Sequence, residues 1–363
     1  MTTDIFRNRA ERIAGMLRGR IADGWILFPG VEMYYFTGFR IDVTERPTCA
    51  LIPFDGEPLW IVPTLERDLR GCKTWIRRVE TWEEEAFDVV ADRITGAGLA
   101  DKRVAVCDTA PWGWVRRMQD RLPRVRFVSA TATIDSLRAR KEPAELDAIR
   151  KACDIIVTAV RKGFASLCEG MSERELALEI GREVERQGAS REFCLALFGE
   201  RAALPHGMPS DRKLRRGDGV LVDAGCRADG YVSDITRTVV FGEPTGRQQD
   251  IWQTVLRAYQ AAARAIRPSV TGAQADAVAR KVIADAGFGE FFIHRLGHGL
   301  GLLGHEPPYL AANNDQPLQE GAVFTIEPGI YIPGEWGVRL ENTVLLTVDG
   351  CEPLTKMNMD IQP

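Results

Sequence analysis

The sequence predicts an α+β protein of two domains, a smaller α/β domain followed by a larger domain that contains a repeated structural unit. Three observations support this prediction. The chain has 363 residues, which is about twice the length of an average domain. Strand and helix patterns alternate in its first part. In its second part, a helix–helix–hairpin order recurs at a spacing of about 100 residues.

The composition excludes several classes of protein. Hydrophobic residues make up 45% of the chain and charged residues 27%, as in ordinary globular proteins. Lys and Arg number 47 against 51 for Asp and Glu, so the net charge of −4 argues against a nucleic-acid partner. We find neither a signal peptide nor the ~20 apolar residues of a membrane span. The eight cysteines form no C-x-x-C pair. We therefore expect reduced thiols, no membrane partner and a cytoplasmic location.

The smaller domain is predicted over residues 1–137. Residues 24–28 and 50–53 have the composition of short strands, and the amphipathic stretch 84–95 is typical of a helix. The charged connector that follows ends at Pro143, a residue that favours the first turn of a helix. The domain boundary is therefore predicted in this connector.

The larger domain, residues 138–363, contains the repeat. The first copy has a helix from 143, a second helix from Ser172 with a capping box to Glu175, and a hairpin of 219–226 and 231–241. The second copy has helices at 246–266 and 273–286 and a hairpin of 322–332 and 338–348. We expect the hairpins to form one curved sheet with the helices outside, and a site where the two halves meet.

Two acids of the first predicted hairpin, Asp223 and Asp234, occupy positions that usually hold apolar or β-branched residues. In a hairpin with a two-residue turn, the residue numbers of any two directly opposed residues add up to the same value. A turn at residues 228 and 229 therefore places Asp223 opposite Asp234. Opposed side chains have Cβ atoms about 4.5–5.5 Å apart, so two negative charges there destabilise the sheet unless a positive charge lies between them.

The second predicted hairpin repeats this arrangement, because Glu327 and Glu341 are equidistant from Gly334. Each half then contributes one opposed pair of acids. Four carboxylates that converge on one sheet face suit two divalent cations, which lie about 3.5–4 Å apart in dinuclear hydrolase sites. One acid on a strand more often faces solvent. Two opposed pairs of acids, one in each half, favour a metal site instead.

All four histidines lie in one part of the chain, at His206, His294, His298 and His305. Glycines flank His298, so the backbone can approach a ligand closely and a helical H-x-x-x-H pair is disfavoured. One imidazole among four carboxylates makes an oxygen-rich site. Such a site favours Mn²⁺ or Co²⁺ and also admits Fe²⁺ or Zn²⁺.

Six ordered motifs carry a family resemblance. They are Ala-Leu-Pro-His206-Gly, Asp223-Ala-Gly with Ser-Asp234-Ile-Thr-Arg-Thr, Gly-His298-Gly-Leu-Gly, His305-Glu-Pro, Ile-Glu327-Pro-Gly and Val-Arg339-Leu-Glu341. With these motifs the sequence resembles the pita-bread metallopeptidases, in the branch of Xaa-Pro aminopeptidase and Xaa-Pro dipeptidase (prolidase). The resemblance spans the whole chain. It implies a pita-bread (creatinase/aminopeptidase) catalytic domain after a creatinase/prolidase-like N-terminal domain.

The resemblance also implies roles for individual residues. It makes Asp223, Asp234, His298, Glu327 and Glu341 ligands of two divalent metal ions, with Asp234 and Glu341 bridging them. A metal-bridging water would attack the bond before a proline in the second position of a peptide or dipeptide, and Glu327 would act as general base. His206, His294 and His305 would bind substrate, with His206 also catalytic and His305 steadying the oxyanion.

One feature departs from the family pattern. Prolidases often place an arginine after the His-Glu-Pro motif to hold the dipeptide carboxylate, but residues 308–317 contain none. Arg339 could substitute as a substrate-binding cation, as could Arg46 of the N-terminal domain. We therefore expect that Ala-Pro and a longer Ala-Pro-Xaa peptide are both cleaved, with efficiencies that differ by less than about a hundredfold.

Two other functions stay open at this point. The same fold and metal site could hydrolyse another small amide-like compound, because a fold does not determine specificity. A non-catalytic binding module of the same fold is the second alternative, although four converging acids without metal would be costly. Relatives in this branch are often dimers in which one N-terminal domain lines the partner's site, so we also expect a homodimer.

Overall fold

The computed structural model describes residues 3–68 and 74–363 and divides after Arg138 into two compact units. Cys72, one of the eight predicted thiols, lies outside the described residues. The other seven cysteines form no disulfide with one another. Within the described ranges, no helix is both long enough and apolar enough to cross a membrane.

The N-terminal unit is an α/β structure, as predicted. Its described strands are β1 (Gly24–Leu27), β2 (Cys49–Pro53), β3 (Leu59–Pro63), β4 (Arg78–Trp82), β5 (Arg103–Val106) and β6 (Arg126–Ser129). They form one mixed sheet in the order β4-β3-β2-β1-β5-β6. The helices are α1 (Thr3–Leu17), α2 (Val31–Thr37), α3 (Ala86–Gly96), α4 (Trp112–Arg121) and α5 (Thr131–Ala139). Trp25 and Trp60, both fully buried, fill the core of the sheet.

The first half of the catalytic unit follows the predicted helix–helix–hairpin order. It contains α6 (Pro143–Ala165), α7 (Glu173–Arg186), β7 (Ser190–Phe198), β8 (Gly219–Ala228), β9 (Tyr231–Val232) and β10 (Ile235–Val240). Pro143 occupies the first turn of α6, and Ser172 and Glu175 form the predicted capping box of α7. The inner faces of both helices pack with β7, β8 and β10 in one apolar core.

The second half repeats this order, which confirms the predicted duplication. It contains α8 (Gly246–Ala265), α9 (Gly272–Asp285), β11 (Gly297–Gly299), β12 (Glu306–Leu310), β13 (Val323–Ile326), β14 (Gly329–Ile332), β15 (Trp336–Arg339), β16 (Asn342–Thr347) and β17 (Gly350–Pro353). Thr245 and Thr271 cap the two helices in the same way as Ser172 caps α7. This half has its own apolar core.

The register of the first hairpin differs from the prediction. Its two-residue turn consists of Asp229 and Gly230, whose φ angles are 49° and 90°. Positive φ at both positions suits a tight hairpin turn, and glycine adopts it without steric cost. As a result Asp223 pairs with Thr236, not with Asp234. The shift is two residues, so Asp234 stays on the same face as Asp223 because strand side chains alternate between faces.

The register of the second hairpin is as predicted. Strands β14 and β15 pair about Gly334, and β13 and β16 continue in the same register. Glu327 and Glu341 lie between these two paired segments, opposite each other in that register. The two halves meet beside them, where the backbone N–H of Glu341 donates a hydrogen bond to the carbonyl oxygen of Thr236 at 3.1 Å. The strands of the two halves form separate sheets rather than the single curved sheet that the sequence predicted, and the acids lie where the two halves meet.

Candidate active site

A cavity of about 840 Å³ opens in the catalytic unit where its two halves meet. All nine residues that the sequence predicted for the site line it: Asp223, Asp234, His298, Glu327, Glu341, His206, His294, His305 and Arg339. They come from both hairpins, from β11 and from loops of both halves. The duplication therefore brings together groups that are as far apart in sequence as His206 and Glu341.

Three buried donor groups lie in the interior of this cavity. Asp234 lies between β9 and β10, His298 in the middle of β11, and Glu341 between β15 and β16. These residues are only 5%, 4% and 2% exposed, respectively. One potential ligand atom from each lies within 4.8 Å of the other two. Two carboxylates and one imidazole at this spacing could hold a divalent metal ion.

The imidazole of His298 is oriented with one ring nitrogen toward the acids. Its Nδ1 lies 3.1 Å from the carbonyl oxygen of Gly299, so Nδ1 is the donor of this hydrogen bond. Its Nε2 lies 3.2 Å from Oε1 of Glu327 and 3.8 Å from Oδ2 of Asp234. A ring nitrogen that faces two carboxylates is in the position of a metal ligand. Metal-ligating histidines commonly have this arrangement, with the other nitrogen hydrogen-bonded to the protein.

The acids that lie close together in the cavity shift one another's pKa values. Burial, together with the charges of Glu341 and Asp223, raises the pKa of Asp234 well above its ordinary value. Burial and the charge of Glu327 do the same to the pKa of Glu341. Burial also acts to raise the pKa of Glu327, but the hydrogen bond and charge of His298 outweigh it and bring that pKa to about 2. A divalent cation among these groups would relieve the repulsion between them.

Two buried carboxylate oxygens lack a protein partner. Oδ1 of Asp223 and Oδ1 of Asp234 make no hydrogen bond with any residue in the described part of the chain. The other oxygen of Asp223 accepts a hydrogen bond from Nη2 of Arg339 at 2.6 Å, and Oε2 of Glu341 accepts one from Thr236 at 2.6 Å. A buried acceptor without a donor costs free energy, so the two Oδ1 oxygens, which have none, are well suited to bind a cation. The donor set as a whole therefore suits divalent metal binding.

A chain of hydrogen bonds extends from the acids to His294. Nη1 of Arg339 lies 2.7 Å from the hydroxyl oxygen of Tyr331, which lies 2.9 Å from Nε2 of His294. Nδ1 of His294 lies 2.8 Å from the carbonyl oxygen of Arg295, so Nδ1 is the donor there. Burial lowers the pKa of His294 and favours its neutral ring. Nε2 then accepts a hydrogen bond from the hydroxyl group of Tyr331, and the network holds the imidazole of His294 in one orientation.

The two remaining histidines are more open to solvent. The ring of His305 lies beside that of His298, with 3.9 Å between the ring centroids. Partial desolvation and the neighbouring His298 lower the pKa of His305 to about 4. His305 is therefore neutral near pH 7 and can donate one hydrogen bond. His206, which follows a short helical turn at Gly199–Ala203, is exposed at the rim of the cavity.

Three polar residues of the site were missed at the sequence level, namely Thr236, Tyr331 and Arg295. Thr236 follows Asp234 by two residues and Tyr331 follows Glu327 by four, so the alternation of strand side chains could have indicated both. Arg295 had no such signal, because it lies in a loop. Apolar residues complete the wall of the cavity: Phe193, Leu195, Pro205, Met208 and Ile293.

Comparison with known families decides the identity of the fold. Residues 147–348 match the family described as metallopeptidase family M24, and residues 9–140 match the family described as creatinase/prolidase N-terminal domain. The chain belongs to metallopeptidase family M24. The pita-bread catalytic domain and the α/β N-terminal domain that the sequence implied are therefore confirmed.

Individual relatives agree with this M24 assignment over nearly the whole chain. A protein of Mycobacterium tuberculosis named probable dipeptidase PepE is 39% identical, covering 90% of this chain and 88% of that protein. The crystal structure of dipeptidase PepE from Mycobacterium ulcerans is 36% identical, with a TM-score of 0.93 over 100% of this chain and 98% of that one. The Xaa-Pro dipeptidase from Bacillus anthracis is 29% identical, with a TM-score of 0.91 and coverage of 98% and 99%.

Proposed function

We propose that this M24 metallopeptidase hydrolyses the Xaa-Pro bond of dipeptides and short peptides with two divalent ions, Mn²⁺ or Co²⁺, as cofactors. The observation that carries the proposal is the set of Asp223, Asp234, His298, Glu327 and Glu341 around one cavity, with two orphan carboxylate oxygens among them. The apolar wall of the cavity suits a proline ring. The Xaa-Pro dipeptidase from Bacillus anthracis, which shares the fold over nearly its whole length, adds support.

The five ligands would act as a unit. When bound, divalent ions supply Lewis acidity, which makes water nucleophilic near neutral pH and polarises a carbonyl group. Glu327 is ionised at neutral pH and would take the proton of the attacking water. Thr325, whose hydroxyl lies 2.9 Å from Oε1 of Glu327, holds this carboxylate in position.

The proline nitrogen makes the second half of the reaction demanding. An Xaa-Pro bond is a tertiary amide without an N–H, and its nitrogen must be protonated before it can leave. Glu327 would return the proton to that nitrogen. His305, neutral and able to donate, would stabilise the negative charge that develops on the carbonyl oxygen. His206 at the rim would contact the substrate from the opposite half of the repeat.

The test is a peptide panel on the metal-depleted protein reloaded with Mn²⁺ or Co²⁺. We expect hydrolysis of Ala-Pro at least tenfold faster than hydrolysis of Ala-Ala, and no turnover by Glu327→Gln. Glu335→Gln is the matched control, because Glu335 is a surface acid in the turn of the same hairpin and pairs with Arg247. Equal rates on Ala-Pro and Ala-Ala would contradict the proline specificity. Turnover of a non-peptide amide alone would favour the alternative substrate class.

A further inference from the structure

Two of the cavity histidines lie on loops rather than on strands. His206 lies in the connection between β7 and β8, and His294 lies in the connection between α9 and β11. His206 is exposed and His294 is half-buried. Loops are ordinarily mobile, whereas a displacement of about 1 Å in an active site can cost about a hundredfold in rate. Contacts that fix these two loops therefore bear on how the site works.

A buried acid of the first half holds both ends of the loop that carries His206. Glu173, in the first turn of α7, is fully buried. One of its oxygens accepts a hydrogen bond from the backbone N–H of Phe198 at 2.8 Å, and the other accepts one from the N–H of Ser210 at 2.8 Å. The hydroxyl of Ser210 also donates to that second oxygen, at 2.6 Å. Phe198 ends β7 and Ser210 follows the histidine, so one carboxylate closes the loop.

An arginine inside the same loop completes this contact. Nε of Arg201 lies 3.0 and 2.9 Å from the two oxygens of Glu173, and its Nη2 donates to the carbonyl oxygen of Met208 at 2.7 Å. Arg201 thus connects the buried acid to a residue two positions after His206. We call Glu173 and Arg201 the first anchor. Hydrogen bonds between charged groups are about twice as strong as neutral ones, so this anchor restricts the loop strongly.

The second half has a comparable anchor, formed by Asp276 and Arg280 of α9. The two side chains pair at 2.9 and 3.0 Å, and Asp276 is 1% exposed. Oδ1 of Asp276 accepts a hydrogen bond from the backbone N–H of Leu296 at 2.9 Å. Arg280 donates to the carbonyl oxygens of Phe292 at 2.8 Å and of His294 at 2.9 Å. This second anchor therefore holds the backbone of His294 itself and of residues on both sides of it.

We propose that the first anchor positions His206, and the second anchor positions His294, for contact with the substrate. The proposal rests on the proposed Xaa-Pro hydrolysis, in which the cavity histidines act on the peptide. A buried ion pair is often no more stabilising than apolar residues of the same size, so its value can lie in the one arrangement that it enforces. Here that arrangement is a histidine loop, one in each half of the duplicated fold.

The first test asks whether each anchor acts through its own histidine. In the Mn²⁺-loaded protein we expect Glu173→Gln to lower kcat/KM for Ala-Pro by at least about tenfold, with the bound metal unchanged. Added to His206→Ala, it should cost no more than about twofold further, because the histidine through which it acts is already absent. Added to His294→Ala, it should still cost its full factor. Asp276→Asn should show the opposite pattern.

The second test needs no catalysis. The chain has four histidines, so the ring Cε1–H signals of the isotope-labelled, metal-free protein can be assigned in NMR spectra with single histidine substitutions. We expect Glu173→Gln to shift or broaden the signal of His206 and to leave that of His294 in place. Asp276→Asn should do the reverse. A general loss of stability would affect all four signals together, so this pattern separates positioning from a structural defect.

Milder variants and matched controls complete the set. Ser210→Ala removes one donor to Glu173 and should show a smaller effect of the same kind, which keeps the test decisive if Glu173→Gln does not fold. Arg280→Gln is the milder change in the second anchor, because that side chain is 36% exposed. Glu179→Gln and Lys281→Gln remove exposed charges of α7 and α9 and should change neither the kinetics nor the signals.

Three results would overturn the proposal. The first is an effect of Glu173→Gln that adds fully to that of His206→Ala. The second is unchanged activity in His206→Ala or His294→Ala, and the third is a pattern of histidine signals that does not follow the anchors. If the loaded wild-type protein does not hydrolyse Ala-Pro, the proposed Xaa-Pro hydrolysis fails, whereas the signals still show whether the anchors hold the two histidines.

Discussion

Lys141 and Glu306 form a buried ion pair across 165 residues of sequence. Nζ of Lys141 lies 2.9 Å from Oε1 of Glu306, and the two side chains are 1% and 4% exposed. Oε2 of Glu306 accepts a hydrogen bond from the backbone N–H of Leu303 at 3.3 Å. Glu306 therefore closes the turn that presents His305, and Lys141 supports this turn from the segment that precedes α6.

The first prediction concerns this pair. Lys141→Met leaves the charge of Glu306 buried without its lysine, so we expect the free energy of unfolding to fall by about 3–5 kcal/mol. Chemical denaturation of the metal-free protein measures this loss. The double variant Lys141→Met, Glu306→Gln removes both charges and should recover most of the stability. A single variant as stable as wild type would show that Glu306 does not depend on Lys141.

The second prediction concerns metal binding. Asp234→Ala removes an oxygen donor from the buried group with His298 and Glu341, so we expect the bound divalent metal and the peptidase activity to be lost together. Elemental analysis of the purified protein measures the metal. Asp229→Asn is the control, since Asp229 is an exposed acid in the turn of the same hairpin. Full metal content in Asp234→Ala would exclude Asp234 as a ligand.

The third prediction concerns the metal-free protein at different pH. The pKa of Asp234 is raised in the folded state, so the folded protein binds its proton more tightly than the unfolded chain does. Asp234 therefore destabilises the fold increasingly as pH rises above the ordinary carboxyl pKa toward the raised value. In chelator, we expect Asp234→Asn to melt at a higher temperature than wild type at pH 7 and at nearly the same temperature at pH 4.

Thermal unfolding in chelator and in excess Mn²⁺ tests this third prediction. Added metal should stabilise the wild-type protein and have little effect on Asp234→Asn. The variant is thus expected to be the more stable protein without metal and the less stable one with it. A lower melting temperature of the variant in chelator at pH 7 would contradict the raised pKa of Asp234.

The fourth prediction concerns His305. His305→Ala should retain its metal but lose about 10²–10³ in kcat, which is the usual cost of removing one donor to a developing oxyanion. Steady-state kinetics with Ala-Pro, together with metal analysis, provide the measurement. His305→Asn keeps a side-chain donor and should lose less. An unchanged kcat in His305→Ala would mean that the oxyanion is stabilised by another group.

The two hairpins differ in how well their register is predicted from the sequence. The register of Glu327 and Glu341 about Gly334 followed from counting, because strand pairing on either side of a turn is local and regular. The same counting gave Asp223 the wrong partner on the opposite strand, Asp234 instead of Thr236. It had assigned the turn to residues 228 and 229 rather than to Asp229 and Gly230. The acids nevertheless share one face, because a shift of two residues preserves side-chain alternation.

The sequence by itself determined the duplicated fold, the pair of Glu327 and Glu341 and the group of histidines, since strand periodicity, helix caps and motif spacing are encoded over short stretches of chain. Only the tertiary structure decided which partners meet across long separations. Arg339 is bound to Asp223, Arg295 lies on Tyr309, and Lys141 pairs with Glu306. These contacts join different elements, so they depend on how the two halves pack, and no local pattern in the sequence specifies them.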